Sequence, residues 1–72
     1  MKNNVKRLRE SFNLTQEQLA KKIGVSRQTI ISIEAGRYNP SLILAYKLAK
    51  SFGSGIEEVF DFSGLEEDNL NE

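Results

Sequence analysis

The 72-residue chain has no cysteine, no histidine, no tryptophan and one proline. Without cysteine there is neither a disulfide staple nor a thiolate metal site. Without histidine the commonest proton shuttle and metal ligand is also missing, so stability has to come from packing. The longest apolar run, inside SLILAY, is far shorter than the ~20 residues of a membrane span, and the opening MKNNVKRLRE has no apolar segment of signal-peptide type. A cytoplasmic location, with no membrane partner, is therefore expected. A chain of this length encloses a core for a few helices and lacks the bulk for a deep catalytic cleft with a supporting shell, so one small body is expected. The adjacent glutamates Glu57 and Glu58, and Glu66 and Glu67, diverge on a helix and accompany no nucleophile–base arrangement. Gly53-Ser54-Gly55 is too short for a phosphate-cradling loop and reads as a helix-to-helix turn. No enzyme, cofactor, metal centre or small-molecule substrate is expected.

Charge of both signs is present in equal amount, ten bases and ten acids, but it is ordered along the chain. Residues 1–50 hold all ten Lys and Arg against only Glu10, Glu17 and Glu34, a formal +7. Residues 51–72 hold seven acids and no base, a formal −7. A basic body followed by an acidic end points to nucleic acid as the partner of the first part. Two solvated surfaces without a partner would show the same order, so charge alone does not decide.

Apolar spacing divides the chain into five short helices around one core, an all-α class with no strand pattern and no internal repeat. Val5, Leu8 and Phe12 mark the first helix, with Asn3 or Asn4 to cap it. Thr15 and Gln18 have the spacing of a capping box and open a second helix that buries Leu19, Ala20 and Ile23 and ends at Gly24. Ser26 can cap a third helix running to about Ala35, before Gly36. Asn39 before Pro40 is biased away from helix. Helical spacing resumes through Leu42, Ala45, Leu48, Ala49 and Phe52 until Gly53. Gly55 opens a fifth helix burying Ile56, Val59 and Phe60, with Glu57 and Glu58 matching the positive helix start. Residues 1–60 form the expected domain, and 61–72 an acidic tail expected to be largely mobile.

The third helix poses a question of faces. At about 100° per residue, Ile30 and Ile33 fall together, while Ile31 lies on the other side with Arg27, Gln28 and Ser32. One isoleucine must therefore point outward among polar residues.

The segment TQEQLAKKIGVSRQTIISIEAG, residues 15–36, resembles the helix-turn-helix of phage repressors of the Cro and lambda-repressor type and of Xre-like bacterial regulators. Leu19, Ile23, Val25, Ile30 and Ile33 stand where that motif buries apolar residues. Ala20 lets the second and third helices approach closely, and Gly24 takes the corner. The likeness extends over roughly residues 5–60 and implies a lambda-repressor-like DNA-binding domain. Its third helix would project far enough to enter a major groove about 12 Å wide.

The resemblance assigns base contacts to Arg27, Gln28 and Ser32. Arginine can bond two guanine acceptors, glutamine can pair with adenine, and Ile31 between them can touch a thymine methyl group. It assigns backbone phosphate to Gln16, at the start of the second helix, with Thr29, Arg37, Tyr38 and Asn39 as further candidates. Lys21 and Lys22 read better as a solvated face. An arginine of the first helix pairs with a late glutamate of the third in this family, which maps onto Arg9 and Glu34. Two departures are visible: Ala35 stands where asparagine is frequent, and Ser54-Gly55 where an apolar residue and a Ser or Thr cap are usual, which implies a looser fifth helix. Relatives commonly dimerise through C-terminal elements, making Phe60, Phe62 and Leu65 dimerisation candidates unless they finish the monomer core. The implied function is sequence-specific binding of double-stranded DNA as a small transcriptional regulator, a repressor before an activator. It would act as a homodimer on a palindromic operator. The alternative is a protein-interaction module, such as an antitoxin or anti-repressor.

Overall fold

Helices of four to ten residues are too short to hold themselves in water, so each depends on how its ends are closed and what its apolar stripe meets. The computed structural model describes residues 1–64 and contains α1 (Val5–Ser11), α2 (Gln16–Ile23), α3 (Arg27–Glu34), α4 (Leu42–Ser51) and α5 (Ile56–Val59). The expected Leu65 contact and the acidic residues beyond it lie outside the described residues.

Three helices start at a hydroxyl cap. Thr15 Oγ1 accepts from the Gln18 amide at 3.0 Å and Gln18 Oε1 accepts from the Thr15 amide at 2.8 Å, closing a capping box at α2. Ser26 caps α3 through the Thr29 amide, and Ser41 caps α4 through the Leu44 amide, each at 3.2 Å. At α5 the Glu58 carboxylate accepts from the Gly55 amide at 2.8 Å, and glycine has no hydroxyl to return the bond. Only half a box forms, and α5 is a single turn.

Four helix ends share one geometry. Asn13, Gly24, Gly36 and Gly53 each adopt positive φ, at 58°, 88°, 76° and 65°. In each case the next amide reaches back to the carbonyl five residues earlier: Leu14 to Arg9, Val25 to Ala20, Arg37 to Ser32, and Ser54 to Ala49. This is the Schellman closure, which satisfies carbonyls the helix leaves open. Asparagine is among the few side chains that tolerate the left-handed region.

The core is built from Val5, Leu19, Ile30, Ile33, Leu48 and Val59, all fully buried, so every helix contributes. The small Ala20 and Ala49 are buried beside them. The chain ahead of α1 joins the body by pairing with its far end: Asn3 makes an isolated antiparallel bridge with Phe60. The Asn4 amide donates to Val59 O at 2.7 Å and the Asp61 amide to Lys2 O at 2.9 Å. Phe62 packs on the core as well, so the body continues past its expected end at residue 60.

Two spacing-based expectations fail. Leu42, assigned to the buried side of α4, is 77 % exposed, because the buried stripe of α4 begins only at Ala45. Phe12 is half exposed just past the end of α1, its ring 5.7 Å from that of Phe52. Removing a buried side chain costs its transfer energy plus a cavity. Leu48→Ala should therefore lower stability by about 2–5 kcal/mol in urea unfolding, whereas Leu42→Ala should change it by less than about 0.5 kcal/mol. Equal losses at the two positions would mean that α4 is rotated about its axis.

Candidate nucleic-acid interface

The corner between α2 and α3 is set by Gly24 at φ 88°, where a Cβ would meet nothing within 4 Å. Glycine is required there for its backbone conformation, not for space. Val25 then packs on the core and Ser26 caps α3. With Ile30 and Ile33 turned fully inward, Arg27 and Gln28 stand exposed on the outer side, and Ile31 and Ser32 are half-buried along it. Gln28, Thr29, Ser32, Ser26 and Tyr38 line a shallow groove of about 260 Å³ on this side. Arg37, Tyr38 and Asn39 are exposed in the turn that follows α3.

Two of the residues assigned to phosphate are occupied locally. The Gln16 side-chain amide donates inward to Glu34 Oε1 at 3.1 Å. The capping box uses the amides of Thr15 and Gln18 and leaves those of Gln16 and Glu17 outside it. The Thr29 hydroxyl lies 2.9 Å from that of Ser26 within the α3 cap.

Arg9 and Glu34 meet in a two-point ion pair, Nε to Oε2 at 2.7 Å and Nη2 to Oε1 at 3.3 Å, with side chains 9 % and 6 % exposed. Arg9 Nη1 also donates to Leu14 O at 2.8 Å. One guanidinium thus ties α1 to the α1–α2 turn and to the last turn of α3, and Glu34 carries the connection on to Gln16 of α2. Hydrogen bonding to Glu34, reinforced by its charge, holds the Arg9 guanidinium above its ordinary pKa despite burial. The pair also neutralises the one acid of α3, which would otherwise repel phosphate.

Asn3, read from sequence only as a possible helix cap, does more. Its Oδ1 accepts from the Val5 amide at 3.1 Å, while Nδ2 donates to Ile33 O at 2.8 Å and to Met1 O at 3.3 Å. It clamps the start of α1 to the end of α3. The cap-type asparagine was the only available signal, since a partner thirty residues away leaves no local pattern. Phe60, a dimerisation candidate, is 2 % exposed and has no surface left for a second chain; it finishes the monomer core. Phe62 retains only partial exposure. Lys22 lies apart from the α3 groove, lining another one with Tyr46, Lys47 and Lys50. Among the described residues no cluster of carboxylates could hold a metal ion.

Comparison with known proteins agrees with this geometry. The helix-turn-helix family model matches residues 5–59. The chain belongs to the helix-turn-helix family. It is 65 % identical over 60 residues to the uncharacterised HTH-type transcriptional regulator MJ0272 of Methanocaldococcus jannaschii, covering 83 % of this chain and 91 % of that one. It is 51 % identical over 69 residues to the uncharacterised HTH-type transcriptional regulator YgzD of Bacillus subtilis, covering 96 % and 100 %. Among solved structures it superposes on the restriction-modification controller protein C.AhdI of Aeromonas hydrophila with a TM-score of 0.71 at 34 % identity, covering 78 % and 85 %. This helix-turn-helix protein acts in DNA-binding transcription regulation, in a family of regulators and not of enzymes. No helix among its described residues is long and apolar enough to cross a membrane.

The buried pair yields a prediction. Arg9→Ala leaves Glu34 without its countercharge and should cost about 3–5 kcal/mol in denaturant unfolding, whereas replacing both residues by methionine should recover most of that loss. A small effect of the single change would show that the pair is solvated.

Proposed function

We propose that this protein is a sequence-specific repressor that inserts α3 into the major groove of double-stranded DNA and works as a homodimer on a palindromic operator in the cytoplasm. The observation that carries this reading is the division of α3. Ile30 and Ile33 are fully buried, while Arg27 and Gln28 stand exposed on the same helix, their side chains making no hydrogen bond or ion pair among the described residues. Arg27 pairs with O6 and N7 of a guanine, Gln28 with N6 and N7 of an adenine, and Ser32 with either; Ile31 rests on a thymine methyl group. Arg37, Tyr38 and Asn39 hold the backbone beside it. At the other edge the amides opening α2 at Gln16 receive a phosphate, with Thr29 completing the frame.

Repression follows from occupancy, because a body seated across one major groove excludes other proteins from it, whereas activation needs a further productive contact. A short helix reads only a few base pairs. Two copies on half-sites about 34 Å apart, or a multiple of that, lengthen the recognised sequence.

Selection of bound duplexes from a random pool tests the reading. An inverted repeat should emerge. Arg27→Ala or Gln28→Ala should then cost about 1–3 kcal/mol and relax preference at one position per half-site. Arg37→Ala should instead weaken all sequences alike and lower the salt dependence by about one charge per copy. Enrichment of no sequence would overturn sequence-specific reading and favour a protein-interaction module.

A further inference from the structure

Two neighbouring residues at the end of α3 are tied to the N-terminal part of the chain from different directions. Glu34 is held through its side chain, which leaves the helix sideways to meet Arg9. Ile33 is held through its carbonyl, which points along the helix axis, and Asn3 Nδ2 donates to it at 2.8 Å. A sideways tie resists rotation of the helix. An axial tie resists sliding.

The Asn3 bond is not needed to satisfy that carbonyl. The Gly36 amide already donates to Ile33 O at 2.9 Å, so loss of the Asn3 bond leaves no orphaned acceptor and costs little stability. Nor does the asparagine depend on α3 for its own place. Its Oδ1 accepts from the Val5 amide at 3.1 Å, an Asx turn. The backbone on either side is stitched to the end of α5, the Asn4 amide to Val59 O at 2.7 Å and the Asp61 amide to Lys2 O at 2.9 Å. Asn3 is thus a fixed point on the α1–α5 frame, from which a half-buried side chain reaches α3.

The geometry points to Asn3 as a positioning residue for DNA recognition: by holding Ile33 O it sets the axial register of α3, and with it the reach of Arg27 and Gln28 to base edges. The inference rests on the reading of α3 given above. Asn3 acts through the helix, since Ile33 is six residues, about 9 Å of helical rise, from Arg27. Base and backbone contacts respond differently to a helix that slides. Bidentate bonds to a base fail within a few tenths of an ångström beyond ~3.2 Å, whereas attraction between Lys or Arg and phosphate falls slowly with distance. Asn3 therefore protects discrimination between sequences more than attraction to duplex as such.

Two substitutions separate the tie from the turn. Asn3→Ser and Asn3→Asp both keep a side-chain oxygen for the Val5 amide. Serine is too short to reach Ile33 O, and aspartate turns an acceptor toward it, against the negative end of the α3 dipole. The thermal midpoint of Asn3→Ser, followed by circular dichroism, should stay within about 8 °C of wild type. Its affinity for the duplex selected by the wild-type protein should fall roughly tenfold, while affinity for an unrelated duplex at low salt stays within about twofold. Crystal structures of wild type and Asn3→Asp without DNA, superposed on α1 and α5, should place α3 about 1 Å apart along its axis. Arg27→Ala should lose the selected duplex with α3 unmoved. An unmoved α3 in Asn3→Asp, or an Asn3→Ser protein that discriminates the selected duplex as well as wild type does, would overturn the positioning role. A displaced α3 in a protein whose wild type selects no sequence would uphold the register and overturn the reading of α3.

Discussion

The contact between Arg9 and Glu34 sets the pose of everything that faces outward. A recognition helix is useful only if its free side points in one direction. The apolar contacts under α3 fix how deeply it is buried more firmly than how it is rotated or slid, because hydrophobic burial is non-directional. A planar guanidinium held at two points by a carboxylate is directional. It connects α1, the turn before α2 and the end of α3 through three hydrogen bonds, with Gln16 as a fourth spoke from α2. Desolvating two charges offsets much of their attraction, so such a pair contributes little net stability compared with a well-packed apolar substitute. Its contribution here is geometric: the four segments have one arrangement in which every donor and acceptor is satisfied.

Asn3 secures the same helix end from a different side. Because the Ile33 and Gly36 carbonyls lie at the C-terminus of α3, they carry the negative end of its dipole and accept donors readily. Asn3 Nδ2 reaches the first and the Met1 amine the second, at 3.2 Å. Gly36 is constrained twice over, by its left-handed backbone and by Met1 O, which would lie 3.2 Å from an added Cβ. The end of α3 is thus closed by the chain's first residues and its beginning by Ser26, leaving the outer side, with Arg27 and Gln28 exposed and Ile31 and Ser32 half-buried, as its open part among the described residues.

These features differ in how they are written in sequence. The α2–turn–α3 unit was legible because its determinants are local: Thr15 to Gln18, Gly24 at the corner, Ser26 to Thr29, and isoleucines three residues apart. The likeness to phage and Xre-type regulators added Arg9 and Glu34, which periodicity could not join across twenty-five residues. Spacing gives the direction of a side chain and not the depth of what lies over it, and α4 shows the difference. Leu42 has the phase of the buried stripe, but α4 begins beyond the reach of the core, so the leucine stays in water. Phe60 carries two readings in the sequence, buried by the fifth helix or available to a second copy, and the burial is the one the structure shows. What spacing does not give is the bridge to Asn3 beside it, because nothing local in MKNNV announces an edge that pairs with residue 60.

The two charge blocks acquire a spatial meaning once folded. Exposed charges act over about 8 Å at physiological ionic strength, so a formally neutral chain can still present surfaces of opposite sign. The N-terminal end of α3 carries Arg27 and the positive end of the helix dipole. The C-terminal end borders a polar groove of about 810 Å³ lined by Lys2, Glu57 and Asp61 among others. Hydrogen bonds from Ser63 hold the Asp61 carboxyl below the usual carboxylate range, and the Met1 amine and Lys2 stand against Glu57 and Asp61 in the same groove. The two ends of α3 therefore differ: the first turn is positive, whereas the groove at its far end holds charges of both signs. Formal neutrality of the chain therefore does not describe the first turn of α3, where Arg27 meets no acid of its own helix before Glu34, which is already paired with Arg9.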